Sequence, residues 1–289
     1  MKVKRVNAFT ESIHGGNPAG VVTNPSQLTE EQMKFISKKL AVSETAFVFS
    51  SSKADFKVRF FSPEIEVNLC GHATIATFFA MAKEGKLPQK KEKISITQET
   101  KAGIFPVDVY FKDSACEKVM MIQARPILKE IHLNMKEIAK SLNIKRNEID
   151  ESLPKQIVST GLFTLPVCVK SFYILQKIRP NFDHIKKICI QKELGSFHVF
   201  TFETIEKTST YHARNFAPCY GVNEDPVTGT ANGAISNYLV KSGIIKEKKL
   251  VCEQGDIIGR PGRVFVEIEN DVVRVGGKAK IVEETEIKI

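Results

Sequence analysis

The sequence predicts an α+β protein made of two like halves, each a curved sheet wrapped on one buried helix. Three observations carry this reading. A skeleton Arg-x-Phe-(Ser/Ala)-Pro occurs twice, 155 residues apart, as Arg59, Phe61, Ser62, Pro63 and as Arg214, Phe216, Ala217, Pro218. Seven residues beyond each proline stands an ionisable side chain, Cys70 or Asp225, ahead of a Gly-containing helix start at Gly71 or Gly229. Both helices that follow are apolar nearly all round, as helices enclosed by sheet should be. Self-similarity at a long period means one fold used twice, and 289 residues suit two domains of about 150.

The elements follow in order. Residues 2–9 read as a strand, and the Gly-rich stretch 15–20 as a turn leading into Val21-Val22. Thr29-Glu30-Glu31-Gln32 has the form of a helix cap with its partners, followed by Met33, Ile36 and Leu40 at helical spacing. Ser43-Glu44-Thr45 runs into a strand at 46–49, and 56–61 alternates as another. Gly71 opens an apolar helix through 73–82, and strands are expected near 94–96, 104–111 and 118–123. In the second half, 126–142 is expected to hold a helix, 156–169 a Gly-interrupted strand and 182–190 a helix. A strand at 197–202 precedes the Arg214 block and the second apolar helix, 229–241. Short strands with Gly-Pro turns, including Gly259-Arg260-Pro261-Gly262, finish the chain.

Composition narrows the function classes. With 42% hydrophobic and 26% charged residues the chain is an ordinary globular one. No apolar run approaches the roughly 20 residues of a membrane helix. The opening MKVKRVNAF enters a strand pattern without a signal-peptide core, so a cytosolic protein is expected. Six cysteines scattered singly, without a Cys-x-x-Cys pair, argue against a zinc site and against a disulfide framework. The net charge of +9 is spread over the chain, and the lysine run 86–93 reads as solvated loop rather than a nucleic-acid patch. Such a positive field helps draw in anionic substrates.

A helix N-terminus presents unpaired N–H groups and the positive end of a dipole, so two such starts suit a small carboxylate. Glu44 has no acidic counterpart in the other half, where the matching segment reads Gly195-Ser196-Phe197-His198. A carboxyl at a strand start facing an apolar cleft would have its pKa raised and suit general acid/base work. The alternative is a turn carboxylate in solvent. Cys70 is either an activated thiol at a helix start or plain packing beside an apolar helix. His72 suits hydrogen bonding or proton relay better than metal ligation. Asp225 is either a group of the site or the cap of a turn.

These segments resemble the phenazine-biosynthesis-like (PhzF-like) isomerase/epimerase family. The resemblance lies in Asn17-Pro18-Ala19-Gly20-Val21-Val22, Ser43-Glu44-Thr45-Ala46-Phe47, Phe61-Ser62-Pro63 with Glu66, and Leu69-Cys70-Gly71-His72-Ala73-Thr74. It continues through Glu224-Asp225-Pro226-Val227-Thr228-Gly229-Thr230-Ala231, Glu253-Gln254-Gly255 and Gly259-Arg260-Pro261-Gly262, in family order along the whole chain. It implies two pseudo-symmetric domains of the diaminopimelate epimerase-like fold, each a mostly antiparallel curved sheet around a central helix, with the active site between them. The expected domains are 1–115 with 278–289, and 116–277. Also implied are a homodimer, a small carboxylate substrate, and neither a metal nor an organic cofactor; no nucleic-acid or membrane partner is expected.

Carried over residue by residue, Glu44 is the carboxylate that moves a proton between carbons, with His72 and Asp225 near the proton path. Gly71, Gly229 and Thr230 offer backbone N–H groups to the substrate carboxylate, which lowers the cost of the adjacent carbanion. Cys70 departs from the pattern. The phenazine enzyme has a small inert residue there, whereas diaminopimelate epimerases have a catalytic cysteine there and a second one close to the place of Asp225. A Glu44-driven isomerisation with Cys70 as wall or auxiliary acid/base is therefore expected. The rival readings are an amino-acid-type epimerase using Cys70 with Glu44 or Asp225, and a non-catalytic binding or scaffold protein that keeps the fold.

Overall fold

Parallel neighbours in a sheet need a crossover between them, and this chain uses helices for that purpose. The computed structural model describes residues 1–25, 27–88 and 91–288. Its elements begin with β1 (Lys2–Ala8), β2 (Asn17–Val22), α1 (Glu30–Leu40), β3 (Glu44–Phe49), β4 (Phe56–Phe61), β5 (Glu66–Val67) and α2 (Gly71–Lys83). Next come β6 (Lys93–Thr100), β7 (Gly103–Lys112), β8 (Ala115–Ile122), β9 (Ile127–Glu130), α3 (Met135–Ser141), β10 (Gln156–Ser159) and β11 (Phe163–Cys168). Then follow α4 (Phe172–Lys177), α5 (Phe182–Lys192), β12 (Ser196–Thr201), β13 (Tyr211–Ala217), β14 (Val222–Asp225) and α6 (Gly229–Lys241). The last are β15 (Lys249–Gln254), β16 (Gly262–Glu269), β17 (Val272–Gly277) and β18 (Ala279–Glu286).

The chain divides into two compact units, Met1–Ile122 with Gly276–Ile289, and Gln123–Val275. In the first, β18, β1 and β2 pair antiparallel, β2–β3 parallel, β3–β4 antiparallel, β4–β6 parallel and β6–β7 antiparallel. In the second, β9, β10 and β11 pair antiparallel, β11–β12 parallel, β12–β13 antiparallel, β13–β15 parallel and β15–β16 antiparallel. The two series are the same, so the α+β class of two like halves is what folds. α2 packs against β1, β2, β3, β8 and β18, and α6 against β10, β11 and β16. Residues Ala73 to Ala82 of α2 are all buried, which explains why its sequence carries no polar face.

Local chemistry sets most boundaries. Thr29 caps α1 through a capping box: its Oγ1 accepts from the Gln32 N–H at 3.3 Å, and its own N–H donates to Gln32 Oε1 at 2.9 Å. The stretch expected as a turn before Val21 is instead strand from Asn17 onward. Pro18 is tolerated there because it pairs with Asn7 of β1, while the parallel ladder to β3 begins only at Ala19. Residues 126–142 divide into β9 and α3, since β9 finds a partner in β10 that local pattern does not reveal. The short helix α4 was not expected; two of its carbonyl neighbours, Leu175 O and Ile178 O, accept from Arg214 Nη1. The expected boundary at 115/116 lies at the start of β8, a strand that pairs with β7 of the first unit. Within the lysine run 86–93, positions 89 and 90 lie outside the described residues, Lys86 pairs with Glu84 at 2.8 Å, and Lys93 pairs with Asp108 at 2.8 Å.

Candidate active site

Glu44 begins β3, beside Ala19 of β2, and the next pair sets Thr45 against Gly20. A Cβ on Gly20 would lie 2.5 Å from Thr45 Oγ1 and 2.6 Å from Leu40 Cδ1. Only glycine lets β2, β3 and the end of α1 close up here, which gives the Asn17-Pro18-Ala19-Gly20 motif its physical reason. On the other side, α2 starts at Gly71, so His72 lies in its first turn and Cys70 is its N-cap. The three expected side chains of this unit come together. His72 Nε2 lies 3.3 Å from Glu44 Oε2 and 3.3 Å from Ser43 Oγ, and His72 Nδ1 lies 3.4 Å from Cys70 Sγ. Exposure is 23% for the Glu44 side chain, 13% for His72 and 9% for Cys70, so the group is sheltered but reachable.

One protonation pattern satisfies all of these contacts. With His72 as the Nε2–H tautomer, the Cys70 thiol donates to Nδ1 and the Nε2–H donates to the Glu44 side chain. The Cys70 side chain does not cap α2, and no acidic residue sits in its first turn. The positive end of this helix dipole is therefore not met by the N-cap side chain or by an acid in the first turn. Cys70 O instead accepts from Thr74 Oγ1 at 2.8 Å, and the buried Gln98 lies beside the same hydroxyl at 3.3 Å. Among the described residues, Glu44, Cys70 and His72 are the only His/Cys/Asp/Glu set of three whose donor atoms fall within 4.8 Å of one another.

The repeated arginines act as braces. Arg59 makes a two-pronged pair with Glu66 at 2.8 and 3.0 Å and lies over the Phe61 ring at 5.1 Å. Arg214 does the same to Glu224 at 2.8 Å in both contacts, with Phe216 at 5.0 Å. Each brace ties a short strand, β5 or β14, to its long neighbour just ahead of the helix start. The Arg59 guanidinium, bonded to Glu66, holds that carboxyl below its ordinary pKa.

These braces also correct a register. Arginine and glutamate are 7 residues apart in the first unit and 10 in the second. From there Glu66 precedes the N-cap Cys70 by the same interval at which Glu224 precedes the N-cap Thr228. The counterpart of Cys70 is therefore Thr228, while Asp225 matches Val67. The three extra residues lie in the connection between proline and glutamate, which opens with the 3₁₀ turn Pro218–Tyr220 and which a count from the prolines passes over. One helix start thus carries a thiol and the other a hydroxyl.

In the second unit, Gln254 organises the start of α6. It is 1% exposed; its Oε1 accepts from Thr228 N at 3.1 Å and Asn232 Nδ2 at 2.7 Å, and its Nε2 donates to Asp225 O at 2.8 Å and Thr228 Oγ1 at 3.1 Å. Thr228 Oγ1 donates in turn to Asp225 Oδ2 at 2.5 Å. Gly255, at φ +92°, permits this loop, since a Cβ there would lie 2.2 Å from Arg260 O and 2.7 Å from Pro226 O. Thr160 Oγ1 donates to Thr230 O at 3.0 Å, and Gly229 and Thr230 form the first turn of α6 without a side-chain cap. Sequence reasoning missed Ser43 and Gln254 as members of these clusters; both stood inside recognised motifs, where their neighbours drew the attention. An open hollow of about 680 Å³ lined by Lys136, Lys140 and Arg146 carries none of the expected residues.

Comparison with known proteins points one way. The family described as "Phenazine biosynthesis-like protein" (PhzC-PhzF) matches residues 6–285. The uncharacterized isomerase YfhB of Bacillus subtilis is 37% identical over 97% of this chain and 93% of its own length. A crystal structure of the Bacillus anthracis phenazine biosynthesis protein of the PhzF family superposes with a TM-score of 0.91 at 35% identity, covering 100% of this chain and 99% of that one. A hydroxyproline epimerase from Agrobacterium vitis, 12% identical, shares the fold alone, with a TM-score of 0.64 over 99% of this chain and 90% of its own. Among the described residues no helix is long and apolar enough to cross a membrane.

Proposed function

The chain belongs to the phenazine biosynthesis-like PhzC-PhzF family, and from that premise we propose that it is an isomerase that moves a proton within a small carboxylate, with Glu44 as the general acid/base. The observation that carries this reading is the Glu44–His72 contact of 3.3 Å beside the uncapped start of α2. A substrate carboxylate taken by the N–H groups at Gly71 puts its adjacent C–H near a carboxylate base. The helix dipole then stabilises the negative charge that develops as the proton leaves. Glu44 accepts the proton from one carbon and returns it to another, and His72, donating to Glu44, steers its free oxygen. Asp225, Gly229 and Thr230 are assigned to substrate contact on the same grounds, an uncapped helix start beside a carboxylate. No redox change and no second substrate is needed.

The test is deuterium wash-in from D2O across a panel of small unsaturated and amino carboxylates, followed by NMR. Wild-type protein should place deuterium at one carbon of a responsive compound, and Glu44→Gln, which keeps the shape, should slow this by about 10²–10⁴-fold. An undiminished rate in Glu44→Gln ends the assignment. One observation favours a second reading: Cys70, a group able to take and return a proton, sits in the same cluster with its Sγ 3.4 Å from His72 Nδ1. Exchange without double-bond migration, abolished in Cys70→Ser, would decide for it.

A further inference from the structure

Zinc takes its ligands from proteins as thiolate sulfur, imidazole nitrogen and carboxylate oxygen. The first unit presents one of each, Cys70, His72 and Glu44, with all three donor atoms within 4.8 Å of one another. We propose that this cluster binds a thiophilic divalent cation, Zn2+ above all, and that the bound ion switches off proton transfer by Glu44. The Cys70 Sγ to His72 Nδ1 distance of 3.4 Å is close to the ligand–ligand edge of about 3.6 Å in a tetrahedral zinc site with one sulfur and one nitrogen. The Glu44 carboxylate at present faces the other ring nitrogen at 3.3 Å. Placing the three donors on one centre requires Glu44, which is partly exposed, to turn from Nε2 toward the Nδ1 side of the ring. Three protein ligands leave the fourth position to water.

The donor set selects the ion. A thiolate disfavours Mg2+ and Ca2+, which want oxygen, and favours Zn2+ and its cobalt analogue. Four of the other thiols are poor ligands. Burial pushes Cys116, Cys168, Cys189 and Cys252 up to about 12, so they stay protonated near neutrality. Binding breaks the Cys70 S–H bond, sends that proton to solvent and forms the metal–sulfur bond, with no change in oxidation state. The carboxylate lone pair that would take a proton from carbon is then held by the ion. Metal binding rests on the geometry of these side chains and stands whether or not Glu44 is the catalytic base.

The experiment uses the full-length, reduced, chelator-stripped protein titrated with Co2+. One equivalent should produce a thiolate-to-cobalt charge-transfer band that Zn2+ abolishes. In Cys70→Ser the band should vanish, and in Glu44→Gln the affinity should fall at least tenfold. Wild-type protein alkylated with iodoacetamide and mapped by mass spectrometry gives an answer independent of any variant's folding: one equivalent of Zn2+ should protect Cys70 selectively. A band that persists in Cys70→Ser, absence of a band, or unprotected Cys70 under excess Zn2+ overturns the site. Zn2+ binding that leaves deuterium wash-in by the wild-type protein unchanged overturns the switching role.

Discussion

His198 lies two places beyond Ser196, the residue that begins β12 as Glu44 begins β3. It is fully buried, with Nδ1 3.1 Å from the Asn215 side chain and Nε2 3.3 Å from Asn232 Oδ1. Burial lowers its pKa to about 4, so it is a neutral strut of the core. Its folded pKa lies below the ordinary 6.5, so the unfolded chain binds a proton first as pH falls, and stability drains between pH 6.5 and 4. The loss is on the order of 3 kcal/mol. Urea unfolding from pH 7 to pH 4 should show that slope, and His198→Gln should flatten it whatever it does to stability at neutral pH. Equal slopes in both proteins would refute the assignment. Glu253 extends the acid limb: bonds from His212, Ile205 N and Glu206 N outweigh its burial and hold it at about 2, so its contribution is lost from pH 4.5 downward.

Between single residues and whole units, what positions the chemistry is the fit of neighbouring elements. β3 carries Glu44 at its first residue, and the closeness of β2 decides where that residue sits. Gly20→Ala would push a methyl group into Thr45 and Leu40 and force β3 or α1 outward. Overpacking of this kind costs about 1–3 kcal/mol. Thermal unfolding should register that loss, and a crystal structure of the variant should show the Glu44–His72 distance lengthened beyond 3.3 Å. A variant of unchanged stability and geometry would mean that the strands do not depend on this contact. The elements set by local chemistry were legible beforehand: the Thr29 capping box, the alternation of β4 and the apolar α2 and α6 all follow from short-range pattern. β9 and α4 were not: β9 depends on pairing with β10, and α4 is a single short helix whose Ser171 cap was passed over.

At the scale of the molecule, the chain closes on itself. β18 pairs along the whole of β1, from Lys2 opposite Glu286 to Ala8 opposite Ala279, and thereby does for the first unit what β9 does for the second. Deleting residues 279–289 strips β1 of that partner and leaves an open sheet edge. Hydrogen exchange should then rise throughout β1 to β4, with a loss in opening free energy of more than about 3 kcal/mol, while β12 and β13 keep their protection. Uniform exchange across both units would show instead that they unfold as one.

The amino-acid order alone determined that there are two halves and which helices are enclosed, because composition, periodicity and repeated motifs are local properties. Only the folded chain decided that the repeated arginines are braces, that Thr228 rather than Asp225 stands where Cys70 does, and that Ser43 and Gln254 join the clusters. Each of those facts depends on a pairing across the chain, and a three-residue difference in one connection is invisible until strand and helix ends are superposed in space.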